Sequence, residues 1–153
     1  MKYIDKNLLP NEKILFRTKK HIIIFIFPLI LTFFSFYADH YAEVNPILIK
    51  LRWIPWFITL IFWAYTGLDY MTSEFAVTNR RIMMREGFFY RHTNETRLNT
   101  ISQVNVNQSL LGQLLNYGTV VINAFGAFDA FTLIAKPDVF QRYVNQEVDQ
   151  LTR

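Results

Sequence analysis

The chain has no cysteine in its 153 residues. That excludes disulfide scaffolds, thiolate metal sites and a cysteine nucleophile. Charge is also scarce, at 18% Asp, Glu, Lys and Arg against roughly 25% in an average soluble domain. Glycine and proline number five each and no tract is of low complexity, so disordered, collagen-like and linker-rich classes drop out. Neither a Gly-x-Ser-x-Gly elbow nor a Gly-x-Gly-x-x-Gly or phosphate-loop pattern occurs, and no other recognisable catalytic set is present. What the chain does have is apolar bulk: 52% hydrophobic residues and 15 phenylalanines.

The net charge of +4 is unevenly placed. Residues 1–21 hold Lys2, Lys6, Lys13, Arg17, Lys19 and Lys20 against Asp5 and Glu12, while the remainder balances. A nucleic-acid binder would gather its cations on a folded face instead. Ile22 to Ala38 contains no Asp, Glu, Lys, Arg or His, and neither does Trp53 to Leu68. Neither run has a polar face, so each must be buried in something larger than the rest of this chain. The expectation is two transmembrane helices over about 22–38 and 51–71, with Arg52 and Asp69 reaching the headgroups. Asp39 and His40 end the first; Trp53, Trp56, Trp63, Tyr65 and Tyr70 stand toward the ends of the second, as interfacial aromatics do. The cations before the first run, and Arg80, Arg81 and Arg85 after the second, predict both termini inside and residues 39–52 outside. A cleavable signal peptide is not expected, since no small-x-small site follows the first run. The uncharged spans also argue against a transporter or channel subunit.

Residues 72–153 read as a β-rich domain. Short strands are expected at Ser73–Thr78 and Arg81–Arg85, and a third begins with Phe88-Phe89-Tyr90 after Gly87. Over 97–107, Ser102, Val104 and Val106 alternate with Gln103, Asn105 and Asn107, as on a half-buried strand. One or two helical turns follow at Ser109–Leu115, with Gly118 placed to end them. Thr119–Ala124 and Phe131–Ala135 are further strands. From Pro137 the period becomes helical, and Phe140, Val144, Val148 and Leu151 share one face with Val139 and Tyr143 in support. The fold class expected is therefore an α+β membrane protein. A basic segment (1–21) precedes a two-helix transmembrane hairpin (22–71), and a small barrel or sandwich with a C-terminal capping helix (72–153) follows.

Two stretches carry a family likeness. One is Phe75-Ala-Val-Thr-Asn-Arg-Arg-Ile82 with Arg85 and Gly87. The other runs from Thr100 through Gln108-Ser-Leu-Leu-Gly112 and Tyr117-Gly-Thr-Val120 to Ile122, then Gly126 and Lys136-Pro-Asp-Val-Phe140. Over about 70–145 the chain resembles the bacterial pleckstrin-homology-like domains of membrane proteins with paired N-terminal transmembrane helices. The resemblance implies a PH-like fold in the bacterial inner membrane, multi-pass with both termini cytoplasmic. It also implies a non-catalytic binding or assembly module for a protein or lipid partner, or for copies of itself. A membrane-associated enzyme or accessory subunit acting on lipid or envelope substrates, or in transport, is the alternative. Transferring the headgroup-binding hairpin of eukaryotic relatives nominates Arg80, Arg81 and Arg85 as contacts to anionic lipid headgroups.

From the residues themselves, Phe125, Phe128 and Phe131 lie three apart among mostly small neighbours, and form a candidate apolar contact with the membrane or a partner. Asp39, His40 and Glu43 lack the spaced partner motif of a metal site, and His21 and His92 add none. No metal or cofactor is expected. Leu8-Leu9-Pro10-Asn11-Glu12 carries no evident chemistry; Glu12 is expected to stabilise a strand or turn.

Overall fold

The computed structural model describes residues 3–44, 49–125 and 127–152. Residues 45–48 of the connection and Gly126 of the family likeness lie outside the described residues. The chain divides into two compact units: Ile22–Met71, and the segments that flank it on both sides.

The flanking unit is an α+β structure with two antiparallel sheets. β1 (Ile14–Thr18), β2 (Glu74–Thr78), β3 (Arg81–Glu86) and β4 (His92–Arg97) form the first sheet in sequence order. β5 (Ile101–Asn107), β6 (Tyr117–Ala124) and β7 (Ala127–Ala135) form the second. The chain beyond β1 joins the two: Lys20 bridges to Ile134, and the His21 N–H donates to the Leu133 carbonyl at 2.6 Å. On the other side Asn94 donates to the Asp129 carboxylate, tying β4 to β7.

The N-terminal segment, expected to stand apart from the domain, is built into it. β1 pairs with β2, and α1 (Tyr3–Lys6) lays the fully buried Ile4 against Ala76 and Met83. The helical insertion leaves the sheet after Thr18 and returns at Glu74, and Thr18 and Phe75 are register partners.

The core lies between the sheets and α5 (Pro137–Thr152), around Phe75, Ile82, Leu98, Val120, Phe131 and Phe140. The stripe on α5 docks as expected at Phe140 and Val144, both fully buried, and Val148 packs beside them. Leu151, the last of that stripe, is exposed. Phe16 of β1 meets the Phe140 ring edge-on at 6.4 Å and stacks on Tyr143 at 5.2 Å.

Three local expectations change. Phe88–Tyr90 forms a turn rather than a strand, because Gly87 takes φ of +86° and a Cβ there would stand 2.1 Å from the Tyr90 carbonyl oxygen. In β5 a bulge between Ile101 and Gln103 breaks the alternation and turns Ser102 outward. The short helix α4 (Leu110–Leu115) ends at Asn116, in the left-handed conformation at φ 60°, and not at Gly118. Ser109 caps its start by accepting the Gly112 N–H at 3.1 Å. Ser109→Ala should destabilise this turn by about 0.5–2 kcal/mol. Hydrogen exchange would register it as faster exchange at Gly112 with the core strands unchanged.

The second unit is a pair of helices, α2 (Ile26–Val44), preceded by a 3-10 turn at Ile22–Phe25, and α3 (Trp53–Thr72). Among the described residues one helix, Ile22–Val44 with 23 residues, is long and apolar enough to cross a membrane. Its helical course runs through Asp39 and His40 instead of stopping there, and Asp39 pairs with Arg52 at 3.0 Å. α3 has 20 residues and carries three tryptophans, two tyrosines and Asp69. The pair is inverted relative to a soluble protein. Buried positions are Pro28, Ser35, Ala42, Thr59, Thr66 and Asp69, while Phe33, Phe34, Phe57 and Leu60 are exposed. Ser35 and Thr59 share a hydrogen bond at 2.7 Å between the helices, and Trp63 donates to Thr32 at 3.0 Å.

Candidate functional site

The β2–β3 turn, Thr78-Asn79-Arg80-Arg81, faces the N-terminal segment across one end of the first sheet. Lys13 and Asn79 hold the two together: the Lys13 N–H donates to Asn79 Oδ1 and the Asn79 N–H to the Lys13 carbonyl. Beneath this turn sits Glu12, whose carboxylate is fully buried. It accepts from the Thr78 hydroxyl and the Leu9 N–H, each at 2.7 Å, and from Arg81 Nε and Nη2, both at 3.0 Å. Burial alone would disfavour its ionised form. The Arg81 guanidinium, the Leu9 N–H and the Thr78 hydroxyl outweigh that and hold its pKa below the usual carboxylate value. The Glu12 carboxylate in turn raises the Arg81 pKa against the effect of burial. Arg81 also donates to the Asn7 carbonyl at 2.7 Å and to Glu95 at 2.5 Å. Its donors are thus spent inside the fold, on both oxygens of one carboxylate and on two further acceptors.

Beside this cluster lies a cleft of about 420 Å³, lined by Asn79, Arg80, Arg81, Arg97, Asn99 and the apolar Leu9 and Leu151. Arg80 and Arg97 are exposed, and neither guanidinium has an ion-pair partner among the described residues. Two cations, two amides and two leucines can hold an anionic group but include no nucleophile or general base to transform it.

The six candidate contact residues separate. Arg80 and Arg81 share the cleft, with Arg80 the open one. Arg85 lies at the other end of β3, opposite Glu74, its guanidinium 4.6 Å from the centre of the Tyr3 ring. Phe125 and Phe128 are exposed at the β6–β7 turn, whereas Phe131 is fully buried against Phe75, ring centres 6.0 Å apart. Asp39 and Glu43, near the C-terminal end of α2, both face Arg52, and no cluster of three metal-ligating side chains occurs among the described residues.

Sequence reasoning missed Arg97, Asn99 and the buried role of Glu12. Arg97 and Asn99 flank a strand end with no motif to mark them. For Glu12 a signal existed: an acid three residues after Leu9, beyond Pro10-Asn11, matches a turn whose carboxylate reaches back to a backbone N–H.

Sheets of four and three antiparallel strands, closed by a C-terminal helix, define a PH-like fold. Residues 22–148 match the family of bacterial PH domains, and the chain belongs to that family. No curated protein and no solved structure matches it.

Proposed function

We propose that this chain is a membrane-anchored, non-catalytic PH-like module. In this reading it holds an acidic segment of a partner protein at the bacterial inner membrane through the Arg80–Arg97 cleft. The observation that carries the anchoring is the inverted helical pair. Small and hydroxyl-bearing residues are buried between α2 and α3 and bulky apolar ones face outward, which suits hydrocarbon and is costly in water. On this reading α3 is a second span, its aromatics near the interface, and both termini lie in the cytoplasm. The cleft sits at the end of the first sheet away from the strand ends that lead into the helices. That position favours an acidic protein segment over headgroups of the chain's own bilayer, and copies of this chain are the other partner class to examine.

Introduced cysteines test the topology without background, because the chain has none of its own. Lys50→Cys should react with an impermeant maleimide in intact cells, and Asn99→Cys only after permeabilisation. The chain should stay in the membrane fraction through alkaline carbonate. Extraction by carbonate, or the opposite labelling pattern, would refute the anchoring. Arg80→Glu with Arg97→Glu should abolish co-purification of acidic partners, and retention of all of them would refute the role of the cleft.

A further inference from the structure

α4 and the β3–β4 turn present exposed apolar side chains. The four leucines of α4, Leu110, Leu111, Leu114 and Leu115, are all exposed, Leu110 by 85% and Leu114 by 80%. The four share one face of the helix, and that face is turned outward and is not packed as core. The helix is nonetheless firmly held: Ser109 caps it, and the Gln108 side chain donates to the Tyr117 carbonyl at 3.1 Å. At the β3–β4 turn Phe88, Phe89 and Tyr90 are exposed too, Tyr90 by 93%. Gly87 forces them outward by its left-handed backbone.

Both features stand where the chain passes into the apolar insertion. Tyr117, two residues after α4, stacks on His21 with ring centres 5.2 Å apart, and Ile22 begins the apolar helical segment. The β3–β4 turn closes on Glu86, which pairs with Lys20 at 3.5 Å, and on His92 opposite. β2 starts at this same end of the sheet, directly after α3. Cations accompany them. Exposed Arg91 follows Tyr90, and exposed Lys136 donates its backbone N–H to the Asn116 carbonyl at the end of α4. Of the nearby acids, Glu86 is taken up by Lys20, and Asp138 lies in the first turn of α5.

We infer that α4 and the Phe88–Tyr90 turn form a foot that inserts into the headgroup region of the same bilayer that holds the helices. The inference rests on the anchoring proposed above and adds the lipid surface that the domain itself contacts. Leucine and aromatic side chains bordered by Arg and Lys are what the interface accepts, with apolar groups at the acyl boundary and cations among phosphates. A second copy docked isologously would instead bring this patch, with Arg91 and Lys136, against its own image.

The test uses the full chain in phosphatidylcholine–phosphatidylglycerol vesicles whose acyl chains carry a shallow nitroxide. An environment-sensitive dye is attached in turn to Leu114→Cys, Phe89→Cys, Asn99→Cys and Phe33→Cys. Leu114 and Phe89 labels should emit to the blue and lose most of their emission to the nitroxide, as should Phe33, while the Asn99 label should lose little. Quenching at Phe33 but at neither Leu114 nor Phe89 overturns the foot and leaves the anchoring standing. A blue-shifted Leu114 label that the nitroxide does not quench means burial against protein, such as a second copy, and also overturns it. An unquenched Phe33 label refutes the anchoring, and the foot falls with it.

Discussion

A chain in which a short Gly-Ser turn replaces residues 22–71 should fold and unfold cooperatively in urea, whereas residues 72–153 alone should not. Thr18 and Phe75 are register partners, so the backbone is already close where the insertion departs and returns, within about 5.5 Å between Cα atoms for an antiparallel pair. Removing the insertion therefore breaks no strand pairing. Removing residues before it does. The fragment loses all of β1, leaves β2 as an unpaired edge, and uncovers the Phe140 and Tyr143 rings on which Phe16 rests. Ile4 vanishes from above Ala76 and Met83. Burying an Ile or Phe fully contributes about 1.5–3 kcal/mol. Orphaning a buried ionic partner costs a further ~3–5 kcal/mol. A small domain has only about 5–15 kcal/mol in all. Circular dichroism through a urea titration decides the matter: equal midpoints for the two chains would show that β1 is dispensable.

Arg81→Ala should be the most damaging single substitution at the cleft. It leaves the fully buried Glu12 carboxylate without its cation, a loss of about 3–5 kcal/mol. Arg80→Ala, one residue away on an exposed side chain, should change stability by less than about 0.5 kcal/mol. The pH dependence follows from the lowered Glu12 pKa. A carboxyl whose folded pKa lies below its unfolded one contributes stability that is complete above the unfolded value. That stability is lost as pH falls through the folded value. The parent should therefore weaken below the ordinary carboxylate range. In Arg81→Ala the burial of Glu12 is no longer offset, its protonated form is favoured, and the gap to the parent should narrow as the solution is acidified. A gap that stays constant from neutral pH to below the carboxylate range would show that the ion pair is not the source of the loss.

The strands and closing helix of the domain are legible in the sequence because their signals are local. Pro137 with Asp138, the period through Phe140 and Val144, and the turn residues around Asn79 each act within a few positions. Residues 3–21 are not legible in that way. The partner of Glu12 is Arg81, 69 residues away, and β1 has no mate until the chain has gone through the insertion. Charge counting treated Arg17, Lys20 and Arg81 as open cations. Each is matched within the fold, to Asp5, Glu86 and Glu12 respectively. The Phe125–Phe131 spacing misled for a related reason. Spacing identifies phenylalanines but not the hairpin register, which buries Phe131 opposite Val120 and leaves Phe128 outside. The leucines of α4 were visible as a motif, yet only the fold shows that nothing covers them.

The place of the insertion between two paired strands also sets a timetable. At about 5–20 residues per second, the ribosome needs roughly 3–10 s to proceed from the end of β1 to the start of β2. Throughout that interval the first strand exists without its neighbour, its N–H and C=O row open and the Glu12 carboxyl bare in water. Each newly made chain must therefore complete its apolar helices before its first strand can be paired. A strand held waiting in this way is a natural client for any factor that shields exposed edges.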